Sequence, residues 1–393
     1  MNKIHLLPKK EESILRYHPW IFSGAIKRME GTPEEGDVVE VYASDNRFLA
    51  MGHYQIGSIA VRILSFTQRQ IDHSFWKERF RIAYQLRLAL NLSENLHNDT
   101  YRLIHGEGDG LPGLIIDVYA KTAVVQAHSV GMHLVRKELA DALQEVLGDR
   151  IQHIYYKSEA TLPFKANLEA ENAYLLGGKD TDHVATENDL KFYVDWEKGQ
   201  KTGFFVDQRE NRKLLEQYSK GRRVLNMFCY TGGFSFYAMR GGAEIVHSVD
   251  SSSKAIDTTC KNVELNFPGD DRHQAFAEDA FKYLENMGDQ YDLIILDPPA
   301  FAKHKNVLRN ALQGYRKLNS IAFGKIKPGG ILFTFSCSQV VSKNDFRLAV
   351  FSAAAQSGRK VRILHQMTQP ADHPINIYHP EGEYLKGLVL YVE

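Results

Sequence analysis

Residues 223–233 read Arg-Val-Leu-Asn-Met-Phe-Cys-Tyr-Thr-Gly-Gly. An apolar run breaks at Asn226, two adjacent glycines follow, and a helical pattern starts at about Phe234. A strand that feeds a glycine turn and then a helix opens a doubly wound α/β sheet, and open sheets of this kind bind nucleotide-like ligands at that turn. From about residue 190 onwards the chain keeps this alternation. Strand candidates fall at Arg223–Asn226, Ile245–Val249, Leu293–Leu296 and Ile331–Phe335, with helical stretches between them. The fold class predicted is therefore α/β with a parallel sheet. Two further strand candidates, Val361–Gln366 and Leu385–Val392, flank a long loop and predict a terminal antiparallel hairpin.

Upstream the pattern differs. Residues 1–70 read as all-β, with short segments at Val38–Tyr42, Phe48–Tyr54 and Ile59–Ser65 separated by turns, which predicts a small barrel. A helical stretch follows, carrying Phe75, Phe80, Ile82, Ala83, Leu86, Leu88 and Leu90, and it is read as the link to the next unit. Residues 71–187 then predict an α+β central domain. Its strand candidates are Tyr101–His105, Leu114–Tyr119, Ala123–Ala127 and Ile151–Lys157, with a helix at about 131–147. A third domain spans 188–393. At 393 residues the chain is long enough for two or three cores.

The bulk properties bound the function. No run of eighteen apolar residues and no secretory leader pattern is present, so neither membrane nor export is expected. Three cysteines, Cys229, Cys260 and Cys337, argue for a reducing compartment, the cytoplasm, and against a disulfide framework. They are too few and too scattered for structural zinc, and His105, His128, His133 and His153 have no metal-ligand spacing, so no metal is expected. Lys+Arg and Asp+Glu balance at 48 each. The distribution is less even. From Pro298 to Lys327 there is no acidic residue, whereas Lys303, Lys305, Arg309, Arg316, Lys317, Lys325 and Lys327 all fall there. Such a run is ordinarily a solvated helix face. Its position directly after a candidate active-site turn favours contact with phosphates instead.

The glycine turn is not G-x-G-x-x-G, because only Gly232 and Gly233 are present and they are adjacent. A pyrophosphate requires close backbone approach at several points, and S-adenosylmethionine, which has no phosphate, does not. The second strand ends at Asp250, 24 residues after Asn226, where a carboxylate can accept from both ribose hydroxyls. Asp279, after the next strand, is a candidate for adenine, although a strand-end Asp is as often a helix cap. The candidate cofactor residues are thus Asn226, Phe228, Tyr230, Thr231, Gly232, Gly233, Asp250 and Asp279. Further along the rim, one buried strand ends at Asp297-Pro298-Pro299 and another at Ser336-Cys337-Ser338. A thiolate and a carboxylate on a stiff turn suit covalent chemistry on an electron-poor ring.

Several stretches together resemble one family. They are Lys201-Thr-Gly-Phe-Phe-Val-Asp-Gln-Arg-Glu-Asn211, Phe228–Phe234, Asp297-Pro-Pro-Ala-Phe301, Phe335-Ser-Cys-Ser338, Ala371-Asp-His-Pro374 and Glu383-Tyr-Leu-Lys-Gly387. All are similar to the class I methyltransferase family of rRNA large subunit methyltransferase I. His18-Pro-Trp-Ile-Phe-Ser-Gly24 resembles the start of that family's PUA domain, an RNA-binding barrel, and Gly106–Gly113 its central domain. The resemblance implies a Rossmann-like sheet, S-adenosylmethionine, and an RNA substrate, with 5-methylcytidine in 23S rRNA as product and a homodimer as the assembly. It also implies that Gln208 and Arg209 help to line the cofactor pocket.

In that chemistry Cys337 adds to carbon 6 of cytosine, which makes carbon 5 nucleophilic, and a cationic neighbour would favour the thiolate. Asp297 grips the base, with Asp297 and Pro298 also facing the cofactor. Pro299 and Phe301 meet the base, and Lys303, Lys305, Arg309 and Arg316 meet phosphates. Two features depart from related enzymes. Another RNA cytosine-5 family carries a second cysteine in the turn, where this chain has Pro298-Pro299-Ala300, and this family's prototype has Lys at the position of Ala300. Three rival readings stay open: methylation of a guanine or adenine nitrogen on the same fold, an RNA assembly factor that holds the cofactor without turnover, and a nicotinamide dehydrogenase.

Overall fold

The computed structural model describes residues 2–163, 168, 171–178, 183–288, 290–302 and 304–393. The chain divides into two compact units. One comprises Met1–Asp189, Val194–Val206 and Ala371–Gly382, and the other Leu190–Tyr193, Asp207–Pro370 and Glu383–Glu393. Among the described residues no helix is long and apolar enough to cross a membrane.

The first unit contains two sheets. Strands β1 (Asn2–Leu6), β2 (Trp20–Phe22), β3 (Ile26–Glu30), β4 (Val38–Tyr42), β5 (Phe48–Tyr54) and β6 (Ile59–Ser65) form a six-stranded sheet in the order β2-β6-β5-β4-β1-β3, with helix α1 (Glu12–Leu15) between β1 and β2. Its core is aliphatic: Ile4, Leu6, Val39, Val41, Val61 and Ile63 interlock. After it comes α2 (His73–Ala89), capped by the Asp72 carboxylate, which accepts from Phe75 N–H. This helix was expected to serve as a link. In the structure Phe75, Trp76, Phe80, Ala83 and Tyr84 bury its inner stripe in the second core, together with Leu103, Leu139 and Leu143.

Strands β7 (Thr100–His105), β8 (Leu114–Tyr119), β9 (Thr122–Ala127), β10 (His153–Tyr156) and β11 (Ala173–Leu176) make a five-stranded sheet in the order β11-β10-β9-β8-β7. Helices α3 (Val130–Leu134) and α4 (Arg136–Leu147) lie between β9 and β10, and a further strand, β12 (Val184–Glu187), follows. The distant segment Ala371–Gly382 belongs here for a visible reason. Arg87, fully buried, pairs with Asp109 and donates to Asp372 O at 2.8 Å, while Arg102 N–H donates to Asp372 Oδ2 at 2.9 Å. Gly108 lies so close to Pro374 O that a Cβ would meet it at 1.9 Å. The Gly106–Gly113 and Ala371–Pro374 motifs therefore hold each other in this unit.

The second unit is the alternating region. Strand β13 (Leu190–Tyr193) comes first, then α5 (Arg209–Tyr218), β14 (Arg223–Met227), α6 (Gly233–Arg240), β15 (Ile245–Asp250), α7 (Ser253–Asn266) and β16 (His273–Ala277). Continuing along the chain are α8 (Ala280–Asn286), β17 (Leu293–Leu296), α9 (Leu308–Lys325), β18 (Gly330–Ser336), α10 (Lys343–Ser357), β19 (Val361–Met367) and β20 (Lys386–Val392). The seven-stranded sheet runs β16-β15-β14-β17-β18-β20-β19. All neighbours are parallel except at β20, which is antiparallel to both β18 and β19, the hairpin expected from the sequence. Every residue of β18 is buried, so Ile331, Leu332, Phe333 and Phe335 each contribute about 1.5–3 kcal/mol of apolar burial. Helix α9 shields the sheet with Ala311, Tyr315, Leu318 and Ala322, spaced three and four apart, and with Phe323 beside them. Strand order reverses between β14 and β17, and in open sheets the crevice at the carboxyl ends of such a pair takes the ligand.

Candidate active site and cofactor pocket

Beyond β14 the chain turns through positive φ at Phe228 (59°), Tyr230 (48°) and Gly232 (87°). Non-glycine residues held there cost on the order of 1–3 kcal/mol each, so the surroundings must enforce the turn. They do so from two elements. Tyr230 N–H donates to Asp250 Oδ2 at 3.0 Å at the end of β15. From α7, Thr259 Oγ1 donates to Tyr230 O at 3.0 Å and Asn262 Nδ2 to Thr231 O at 3.1 Å. Asp250 also accepts from Ser252 N–H through Oδ1 at 2.9 Å. Two backbone donors thus fix a half-buried carboxylate beside the loop and leave lone pairs for ribose hydroxyls. Gly233 is the first residue of α6.

Buried acceptors mark the same turn. Asn226 Nδ2 donates to Ser235 Oγ at 2.9 Å, and its Oδ1, like Thr231 Oγ1, is buried with no hydrogen-bond partner among the described residues. An S-adenosylmethionine brings ammonium and hydroxyl donors, so this donor-poor loop fits it. Asp279 is exposed and accepts from Lys282 N–H at 2.9 Å, capping α8. The helix-cap reading accounts for one of its oxygens. On the other side of β14, Gln208 is buried and donates through Nε2 to Asp297 Oδ2 at 3.0 Å. Asn211 Nδ2 fixes the opposite end of that amide, donating to Gln208 Oε1 at 2.6 Å. Arg209 is 1% exposed, with Nε 3.2 Å from Glu210 Oε1.

The rim is formed by two adjacent parallel strands. β17 delivers Asp297 and then Pro298, which is buried, and Pro299, which is exposed. β18 ends one residue before Cys337, whose half-buried Sγ lies 3.9 Å from Pro298 O. One phenol ties together both serines flanking the thiol. Ser336 Oγ donates to the Tyr315 hydroxyl at 2.9 Å, and that hydroxyl lies 3.1 Å from Ser338 Oγ. Burial, with some help from the Cys337 charge, raises the Tyr315 pKa, so it stays a neutral donor. On β20, Lys386 stands opposite Ser336 and donates through Nζ to Ser338 O and Tyr384 O, both at 2.6 Å. Burial drives its ammonium down to about 8, against a smaller opposing pull from Cys337. The other two cysteines differ: burial raises the pKa of Cys229 strongly, with a further push from Asp250, and that of exposed Cys260 on α7.

Some expected substrate contacts look different in three dimensions. The Phe301 ring lies 4.7 Å from Tyr315 and presses on Gly314, so one of its faces is spent on α9. Lys303 lies outside the described residues. Lys305, Arg309 and Arg316 are exposed, the last two seven residues apart on the face of α9 opposite its buried stripe. Lys317 instead pairs with Glu285 at 3.2 Å, and Lys325 donates to Met287 O at 3.1 Å, so part of the basic run serves the fold. Sequence reasoning missed Tyr315, Thr259 and Asn262, which sit in helices without a motif, and it quoted Asn211 at the end of Lys201–Asn211 without giving it a role. It quoted Lys386 within Glu383–Gly387 but gave it no role. Away from the rim, His18, His379 and Glu381 bring ligand-type atoms within 4.8 Å of one another, with both rings in the aromatic cluster around Trp20.

Comparison with known proteins agrees with this architecture. Residues 161–378 match the family described as S-adenosylmethionine-dependent methyltransferase, and residues 4–66 match a PUA-like domain. Among curated relatives, ribosomal RNA large subunit methyltransferase I of Aeromonas hydrophila is 41% identical over 394 residues, covering 98% of each chain. The protein of that name from Erwinia tasmaniensis is 40% identical over 396 residues, covering 99% of each. In fold, a structure assigned as a SAM-dependent methyltransferase from Streptococcus mutans superposes with a TM-score of 0.85 at 22% identity over the full length of both chains. Another such methyltransferase, 23% identical with the same TM-score and coverage, is complexed with SAH. By its sequence over nearly its whole length, the chain belongs to the ribosomal RNA large subunit methyltransferase I family of S-adenosylmethionine-dependent enzymes.

Proposed function

We propose that this protein methylates carbon 5 of a cytosine in large-subunit ribosomal RNA, 23S rRNA, through a covalent bond from Cys337 to carbon 6. The observation that carries the reading is the pairing of Cys337 with Asp297 at the carboxyl ends of adjacent strands β18 and β17, Sγ within 3.9 Å of Pro298 O. Asp250, the 226–233 loop and Gln208 would hold S-adenosylmethionine, which would supply an electrophilic methyl group and leave as S-adenosylhomocysteine.

Cys337 acts first. Its thiolate forms the S–C6 bond, and the electron pair of the C5–C6 double bond moves into the ring, leaving carbon 5 nucleophilic. Asp297, steadied by Gln208, grips the edge of the base at ring nitrogen 3 or the exocyclic amine. After carbon 5 gains its methyl, its proton passes to solvent. The C5–H electrons restore the double bond, and the S–C6 pair returns to sulfur. Exposed Lys305, Arg309 and Arg316 contact phosphates, which sets affinity and register and leaves base choice to the rim. The PUA-like sheet adds a second RNA contact.

An Asp-Pro-Pro turn alone would also suit an enzyme that methylates an exocyclic or ring nitrogen; Cys337 favours carbon 5. Bisulfite mapping of 23S rRNA from cells lacking the gene tests the reading. One cytosine is expected to lose its 5-methyl mark, and an unchanged map would refute the proposal.

A further inference from the structure

Lys386 is 4% exposed, on a strand where Leu388, Val389, Leu390 and Val392 are buried. An ammonium has three N–H donors, and here two are taken by the carbonyls of Ser338 and Tyr384. Among the described residues no carboxylate lies within ion-pair distance of it, and Glu383, the acid nearest in sequence, pairs with Lys343. A buried cation held only by carbonyls is costly unless an anion stands near. The side chain reaches the carbonyl of the residue that follows Cys337, and β20 pairs with β18 in a register that sets Lys386 opposite Ser336. Charge on Cys337 is also the largest influence opposing the fall of the Lys386 pKa.

We propose that Lys386 is a positioning residue whose ammonium holds Cys337 as its thiolate and acts as the counter-ion for the sulfur. Cys337 gives its proton to solvent, and the sulfur takes the negative charge that the buried ammonium lacks. The idea rests on the reading of Cys337 as nucleophile, and it extends to product release. While sulfur is bonded to carbon 6 it is a neutral thioether, and Lys386 keeps only the weaker pull of Glu383, which itself pairs with Lys343. Cleavage of that bond returns the electron pair to sulfur and restores the pair, so the same charge that prepares attack favours departure. The neighbouring groups do not take this role. Tyr315 on α9 stays neutral, Asp297 at the end of the adjacent strand β17 is an acid rather than a cation, and Lys343 on α10, which acts on Lys386, is matched by Glu383.

The test is the pH dependence of iodoacetamide alkylation at Cys337, read by mass spectrometry in a Cys260→Ser background that removes the exposed thiol. Lys386→Gln keeps two N–H donors for the carbonyls and removes the charge, whereas Lys386→Arg keeps the charge. Alkylation of Lys386→Gln at about pH 7 is expected to be at least about tenfold slower, its profile displaced to higher pH by a unit or more, with Lys386→Arg close to the parent. A Lys386→Gln protein with the parent's melting temperature and the parent's profile would overturn the proposal. Should Lys386→Gln fail to fold, Lys386→Arg still decides, because an arginine variant that shows the displaced profile refutes a role for charge. The two readings fail separately. Loss of methylation in Cys337→Ala together with an unmoved Lys386→Gln profile sinks the ion pair alone. A displaced profile combined with an active Cys337→Ala sinks the nucleophile alone.

Discussion

Replacing Gly232 by alanine should damage both the second unit and its cofactor site, and the structure indicates by how much. Gly232 has φ +87°, a conformation that costs an L-residue roughly 1–2 kcal/mol. The new Cβ would also sit 2.6 Å from Thr259 Cγ2 and 2.8 Å from Phe236 Cε1. Carbon atoms rest about 3.5–4.0 Å apart, so the loop or α7 must retreat by about 1 Å. Overpacking of that kind costs about 1–3 kcal/mol, and with the backbone strain the loss is about 2–5 kcal/mol. Thr259 is also the residue that clamps Tyr230 O, so a retreat loosens the loop proposed to meet the methyl donor. Urea unfolding followed by fluorescence gives the stability change, and calorimetric titration with S-adenosylhomocysteine gives the affinity, expected to fall at least about tenfold for a loss near 1.4 kcal/mol. Gly324→Ala is the control: it is exposed within α9 with open space around it, and should stabilise by about 0.5–1 kcal/mol. A Gly232→Ala protein with unchanged midpoint and affinity would refute the packing argument.

Asp250→Ala removes an acceptor of two backbone N–H groups and, at the proposed cofactor site, the acceptor for the ribose hydroxyls. Calorimetry should find S-adenosylhomocysteine binding weakened by about 1.5–3 kcal/mol, as expected for hydrogen bonds to a charged group. Arg309→Ala and Arg316→Ala should each weaken RNA binding whatever its sequence and lower the slope of log affinity against log salt by about 1, measured by filter binding over a salt series. Acid should destabilise the first unit through His53. Burial lowers its pKa to about 4, and among the described residues neither ring nitrogen has a hydrogen-bond partner. Because the unfolded chain takes up the proton first, stability is complete above the ordinary histidine value of about 6.5 and falls as pH drops from there towards 4, by roughly 3 kcal/mol in full. Urea midpoints across that window should fall for the parent and less steeply for His53→Leu.

What the sequence made legible follows from how local each signal was. Segments Val38–Tyr42, Phe48–Tyr54 and Ile59–Ser65 coincide with β4, β5 and β6 because each is a short apolar run bounded by turn residues. The glycine turn and Asp250 were readable because strand, loop and helix are contiguous. The helix at His73–Ala89 was read as a link because Lys77, Arg79, Arg81 and Arg87 obscure its apolar stripe. Arg87 turns inward only because Asp109 and Asp372 O, far away in sequence, receive it. The packing of Phe301 on Tyr315 and Gly314 was not legible, because α9 brings those residues beneath the ring from further along the chain. Lys386 could not be read at all as a neighbour of Cys337, since only the antiparallel register of β20 on β18 brings them together.

The central claim is a carbon–sulfur bond at carbon 6 that makes carbon 5 the methyl acceptor. Nucleoside mass spectrometry of large-subunit rRNA, incubated with S-adenosylmethionine and either the parent or Cys337→Ala protein, tests it most directly. The account predicts 5-methylcytidine from the parent and none from Cys337→Ala with its fold and cofactor binding intact. A methylated guanine or adenine, or 5-methylcytidine formed by Cys337→Ala at the parent's rate, would contradict it.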